Sequence, residues 1–272
     1  MGRGTPGPVT KRLSADRAHV PNLGIDQHDH PTPLTPDPAA PLLIFVHWWP
    51  ELSLSWRHQL PVFASLGFRC IAPDMRGYGR SSTYTRHEDF AHSLIVQDMI
   101  ELLDSLAQDT AVWVGHDWGG PVVWNMASHH PDRVAGVASL CVPYIATGFT
   151  LDSIVPLVDR NVYPQNEYPA GQWDYMLFYQ ESFDTARQWF DDNVRNAVKA
   201  LFRKGDPAAV GTPSPTASCR RTGGFFGGAP CPDLPRDADV ITEQDQETYT
   251  AALTRNGFFG PDSWYMNHEA NG

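Results

Sequence analysis

The segment Gly115-His116-Asp117-Trp118-Gly119-Gly120 constrains this chain more than any other. It follows a short apolar run, Ala111 to Val114, and precedes a helix-forming stretch, Pro121 to Ser128, that stops at His129-His130-Pro131. A strand that turns at once into a helix needs residues without side chains where the two elements touch. Glycines two before, two after and three after Asp117 meet that need. The turn lifts its central side chain to the carboxyl ends of the strands, where α/β sheets bind ligands. A serine there would suit an esterase. An aspartate beside a helix N-terminus is expected to stay ionised, and an ionised carboxylate can attack carbon to form an ester. The simpler alternative is an aspartate that only caps the following helix.

The surrounding pattern is that of a parallel α/β sheet. Leu42 to His47 is a continuous apolar run bounded by Pro41 and Pro50, as expected of a strand buried on both faces. Phe68 to Ala72 and Val134 to Val142 read as further strands. Helices are expected over Trp56–Leu66 and Leu94–Leu106, the latter with Ile95, Met99, Leu102, Leu103 and Leu106 on one face. Strands alternating with helices imply parallel pairing. After Pro143 the pattern changes. Helices are expected over Phe183–Arg203 and Thr242–Asn256, separated by a Gly/Pro/Ser-rich loop from Gly205 to about Asp239. The chain therefore divides into a proline-rich irregular leader over 1–40, an α/β core over 41–147, and a helical block over 148–272 that reads as a cap over the strand ends.

Composition excludes several function classes. The 272 residues are 42% hydrophobic and 19% charged, enough to build a core. The net charge is −11, and no part of the chain is basic, so neither nucleic acid nor an anionic membrane surface is an expected partner. No apolar run approaches a membrane span. The start, MGRGTPGPVTKRL, has no apolar stretch behind its basic residues, and Pro6 does not suit myristoylation. Cys70, Cys141, Cys219 and Cys231 form no C-x-x-C pair. Cys219 and Cys231 share a loop, but without an export signal the expectation is reduced thiols and a cytoplasmic location. No cofactor or metal is expected.

A second segment bears on Asp117. His47-Trp48-Trp49-Pro50-Glu51 follows the first strand, and its turn should face Asp117 across the sheet. Acyl-type intermediates need two N–H donors aimed at the oxyanion. Trp118 and Trp49 are the candidate donors and substrate-binding residues, although both rings also suit core packing. His47 reads as a hydrogen-bonded structural histidine rather than a base.

These residues resemble an epoxide hydrolase of the α/β-hydrolase fold. His47 to Glu51 resembles that family's His-Gly-x-Pro segment, and Asp74-Met75-Arg76-Gly77-Tyr78-Gly79-Arg80-Ser81-Ser82 its Asp-x-x-Gly-x-Gly-x-Ser loop. Gly115 to Gly120 matches its aspartate turn. Trp173 to Gln180 and Gly257 to Tyr265 sit where the family carries its two cap tyrosines, which map to Tyr175 and Tyr265. The resemblance covers about residues 41–272 and implies Asp117 attack on a small-molecule epoxide, two phenols polarising the ring oxygen, and water hydrolysing the ester to a diol. The turn alone would equally suit a haloalkane dehalogenase; the paired tyrosines favour the epoxide.

The sequence departs from the family in three ways. The family's histidine and its acid partner follow further core strands, whereas Tyr265 lies seven residues before Gly272. His268 has no strand before it and does not suit that role. A truncated or non-turnover relative is therefore the alternative expectation, with an uncovered sheet edge and self-association to match. Trp48 replaces a glycine, which is costly if that backbone needs positive φ. The third departure is the proline-rich leader, where the family usually has recognisable strands.

Overall fold

The computed structural model describes residues 40–272. The expected irregular leader lies outside the described residues, apart from its last position. Four strands form one parallel sheet: β1 (Leu42–Val46), β2 (Arg69–Ile71), β3 (Ala111–His116) and β4 (Val134–Leu140). Their order across the sheet is β2-β1-β3-β4. Every crossover carries a helix: α1 (Gln59–Ser65), α2 (His92–Ser105) and α3 (Gly119–His129). All five β1 residues are buried because the strand is central. Leu42, Ile44 and Val46 join the main core with Ile95 and Met99 of α2 and Val122 and Met126 of α3. Leu43 and Phe45 face the other way, toward Trp56 and Phe63. A period of two on a doubly covered strand is why β1 reads as one unbroken apolar run.

Among the described residues after β4 the regular elements are helices joined by loops: α4 (Leu151–Ile154), α5 (Asp174–Asp191), α6 (Val194–Leu201), α7 (Cys219–Thr222), α8 (Glu243–Asn256) and α9 (Phe259–Ser263). The single helix expected over 183–203 is corrected to two. The first runs back, across a kink at Ser182 (φ −146°, ψ 45°) directly before the expected start at Phe183, to Asp174. It begins there because Met176, Phe178 and Tyr179 are buried in the core. The break falls at Asn193, whose side chain accepts the Asn196 N–H and caps α6. A capping box between Thr242 and Asp245 starts α8 where the pattern placed it. All four cysteines are free thiols, Cys219 and Cys231 included.

The turn from β3 into α3 packs as its glycines imply. A Cβ on Gly115 would lie 2.2 Å from the Gly119 carbonyl oxygen, one on Gly119 2.3 Å from the Val46 carbonyl oxygen, and one on Gly120 2.8 Å from Ser139 Oγ. Asp117 itself takes the strain, at φ 51°. The helix thus sits directly on β1, with no side chain between. Gly119→Ala should accordingly destabilise the protein by about 1–3 kcal/mol, as overpacking does. Chemical denaturation reads this, and an unchanged midpoint would contradict it.

Two buried histidines make stability depend on pH. His92 on α2 and His268 have no hydrogen-bond partner on any ring nitrogen. Burial pushes each from the ordinary 6.5 down to about 4, and for His92 the neighbouring His268 adds to the effect. The unfolded chain binds these protons at higher pH than the folded one, so their contribution is complete above pH 6.5 and shrinks as pH falls toward 4. The melting temperature should drop across that window, and His92→Phe with His268→Met should flatten the drop. An equally steep profile in that double variant would show that other groups cause it.

Candidate active site

Asp117 sits on the β3–α3 turn, pinned at both ends of its backbone. Its N–H donates to the Leu140 carbonyl of β4 at 3.3 Å, and its own carbonyl accepts the Gly120 N–H at 2.8 Å. Its Oδ2 accepts the Trp118 N–H at 2.7 Å. That bond favours the carboxylate, but withdrawal from water outweighs it, and Asp117 is pushed up to about 6. The ionisation expected from the helix end therefore holds only above that pH.

The segment after β1 faces this turn. His47 is buried, with Nε2 accepting the Met75 N–H at 2.9 Å. Nδ1 therefore carries the proton and donates it to the Trp48 carbonyl at 3.0 Å. Burial lowers its basicity further. His47 thus stays neutral and structural, fixing the turn in place. Trp48 does not have positive φ, which removes the cost expected for tryptophan at a glycine position. Its ring lies 5.1 Å from that of His116 instead. The Asp74–Ser82 loop is tied to the segment that follows the turn. Asp74 Oδ1 accepts both the N–H and the hydroxyl of Ser53, at 2.9 and 2.8 Å.

Four of the sequence-derived site residues meet around one ring. Tyr265 is 3% exposed. Its centroid lies 5.1 Å from Trp118, 5.5 Å from Tyr175 and 6.0 Å from Trp49, all edge-on. Burial raises the Tyr175 phenol far above its usual range, and the charge of Asp117 is the next cause. Tyr265 is raised by burial, by Tyr175 and by Asp117. Asp117 thus acts electrostatically on both phenols, which remain protonated. His268 acts on His92, whose ring packs 5.4 Å from Trp118.

Sequence reasoning missed two carboxyls. Burial pushes Glu51 up to about 8; Ser55 opposes this and the charge of Asp117 adds to it. Glu51 therefore carries a proton at neutral pH, close enough to Asp117 to feel its charge. Asp262 is wholly buried and accepts the Trp49 indole N–H at 2.8 Å. Nothing in the local sequence signals either state, because both come from burial by distant segments. Among the described residues no cluster of three or more His, Cys, Asp or Glu is arranged to hold a metal ion. No helix among them is long and apolar enough to cross a membrane.

The family model of the α/β hydrolase fold matches residues 41–194. Epoxide hydrolase A of Mycobacterium tuberculosis is 35% identical over 246 residues, covering 86% of this chain and 69% of that protein. The chain belongs to the epoxide hydrolases of the α/β-hydrolase fold. The crystal structure of Epoxide Hydrolase A from Mycobacterium thermoresistibile superposes with a TM-score of 0.67 at 33% identity, covering 86% of this chain and 70% of that one. Bifunctional epoxide hydrolase 2 of Sus scrofa is 36% identical over 234 residues. The match takes in 86% of this chain but spans 39% of the length of that relative.

The state of Asp117 has a measurable cost. Its folded value of about 6 stands above the ordinary 3.8, so stability is lost as pH rises from about 4 through 6. An asparagine in its place would carry no charge and tolerates positive φ. Asp117→Asn should therefore melt above the parent at pH 8, with the gap narrowing toward about pH 4. A gap that is constant with pH would show that the carboxylate carries no such cost.

Proposed function

We propose that this chain opens epoxides by attack of Asp117 on a ring carbon. One carboxylate oxygen forms the new C–O bond as the ring C–O bond breaks. Tyr175 and Tyr265 donate hydrogen bonds to the leaving ring oxygen, and one of them gives it a proton, which solvent later replaces. The product is a hydroxyalkyl ester on Asp117. The Trp49 and Trp118 N–H groups would steady the oxyanion during ester hydrolysis, and residues 148–272 would act as the cap that carries both phenols. The observation that carries this reading is that Tyr175 and Tyr265 pack edge-on in one buried cluster with Trp118, whose N–H binds the Asp117 carboxylate. A dehalogenase working from the same turn needs N–H donors for halide, and the phenol pair favours the epoxide.

Ester formation is tested with styrene oxide, intact mass and peptide mapping. The adduct should sit on Asp117, vanish in Asp117→Asn, and form more slowly below about pH 6, roughly tenfold per unit once the carboxyl is protonated. Each of Tyr175→Phe and Tyr265→Phe should slow it by about 10²- to 10⁴-fold. An adduct on another residue that survives Asp117→Asn would overturn the assignment.

Hydrolysis of the ester needs a base. Among the described residues no histidine forms an ion pair with a carboxylate. His47 is committed to Met75 and Trp48. We therefore expect the 272-residue chain to consume up to one equivalent of epoxide in a burst and then release diol slowly. Sustained turnover at about 1–10³ per second would refute the stall and direct attention to Glu51 and His268. The strand β4 has exposed residues at Ala135, Ala138 and Leu140, the last 44% exposed. Self-association through that edge is the expected behaviour, and a monodisperse monomer in light scattering would refute it.

A further inference from the structure

Asp262 occupies a place where a carboxyl is expensive. It is 0% exposed, on α9, three residues before Tyr265. Phe258, Phe190 and Trp264 belong to the surrounding buried cluster. An apolar side chain of similar size would avoid the desolvation cost that such a group carries. What an apolar side chain cannot do is accept hydrogen bonds, and Asp262 accepts two on one oxygen. The Trp49 indole N–H donates to Oδ1 at 2.8 Å, and the Tyr179 hydroxyl donates to the same oxygen at 3.0 Å. Oδ2 has no partner.

The two donors come from different elements of the site. Trp49 lies on the turn after β1. Tyr179 lies on α5, one helical turn beyond Tyr175, and its ring stacks on Tyr265 at 4.6 Å with an interplanar angle of 7°. Trp49 meets the same Tyr265 ring edge-on. One carboxyl oxygen therefore joins two of the side chains that border Tyr265, and Asp262 lies three residues before Tyr265 on adjoining helical turns. Burial raises the Asp262 carboxyl well above its usual range, although both donors on Oδ1 oppose this.

We propose that Asp262 is a positioning residue: its Oδ1, shared by Trp49 and Tyr179, ties the turn after β1 to α5 and thereby fixes the plane of Tyr265 beside Asp117. This rests on the reading that Tyr265 serves the ring oxygen. Asp262 touches no reacting atom. It acts through Tyr179, whose face sets the tilt of Tyr265, and through Trp49, whose backbone belongs to the proposed oxyanion turn.

The test compares Asp262→Asn, Asp262→Leu and Asp262→Leu with Tyr179→Phe in the full 272-residue chain. Single-turnover ester formation with styrene oxide gives the maximal rate and the half-saturation separately. Hydrogen exchange over residues 47–52 and 259–266 reads the tie without any chemistry. Asp262→Asn keeps an acceptor oxygen for both donors, and should stay within about threefold of the parent in rate. Asp262→Leu should lower the maximal rate about tenfold or more with half-saturation little changed, as a misplaced group does. It should also raise exchange in both segments together. Adding Tyr179→Phe removes one stranded hydroxyl and should recover part of the rate. A purely structural residue would lower the melting temperature without separating rate from half-saturation. Parental rate and exchange in a folded Asp262→Leu would overturn the proposal, as would loosening of 259–266 alone. If Asp262→Leu does not fold, the double variant decides: a rate equal to that of Asp262→Asn overturns it. If the parent forms no ester on Asp117, the proposed function fails, and the exchange data still decide whether the tie exists.

Discussion

The site depends on the approach of α3 to β1. Gly119 lies so close to the Val46 carbonyl that no side chain fits between, and the helix N-terminus is thereby driven against the central strand. With the helix fixed there, the chain leaves β3 by passing Asp117 through positive φ. The Trp118 N–H then points at the aspartate's own carboxyl. One steric fact thus sets the direction, the hydrogen bonding and the partial desolvation of the carboxylate. The Leu140 carbonyl at the end of β4 holds the other side of the turn, so three neighbouring strands determine where one side chain points.

Desolvation is the second theme. Asp117, Glu51 and Asp262 are all shifted upward, each with burial as the largest cause. They differ in what opposes burial. Asp117 has one backbone N–H to hold its charge and rises to about 6. Glu51 rises to about 8, because burial and the charge of Asp117 outweigh its hydroxyl partner. Asp262 is raised well above its usual range even against two donors. A neutral Glu51 beside an ionised Asp117 avoids a second negative charge near it.

Much of the fold was legible in the sequence, and the reason lies in strong local signals. The β1 run, the α2 stripe and the glycine turn are each governed by short-range rules, and the structure places them within about two residues of expectation. The start of α5 was not legible, because Trp173 to Tyr179 becomes helical only when Met176 and Tyr179 find the core formed by other segments. Trp48 was misjudged for a different reason. A motif position occupied by glycine in relatives suggested a backbone demand that this turn does not make, and the indole simply rests on His116. Tyr175 and Tyr265 were reachable through motif resemblance alone. Asp262 was invisible, since a carboxyl in an aromatic stretch looks like surface until its partners are known.

The bond between Trp49 and Asp262 spans 213 positions along the chain. Closing a loop of that length costs entropy that local contacts do not return. The sheet and α3 lie within residues 42–140, whereas the aromatic cluster around Tyr265 needs the last part of the chain to return to the first strand. The buried surroundings of Tyr265 are thus built from both ends of the described chain, so a segment lacking either end would lack one side of that cluster.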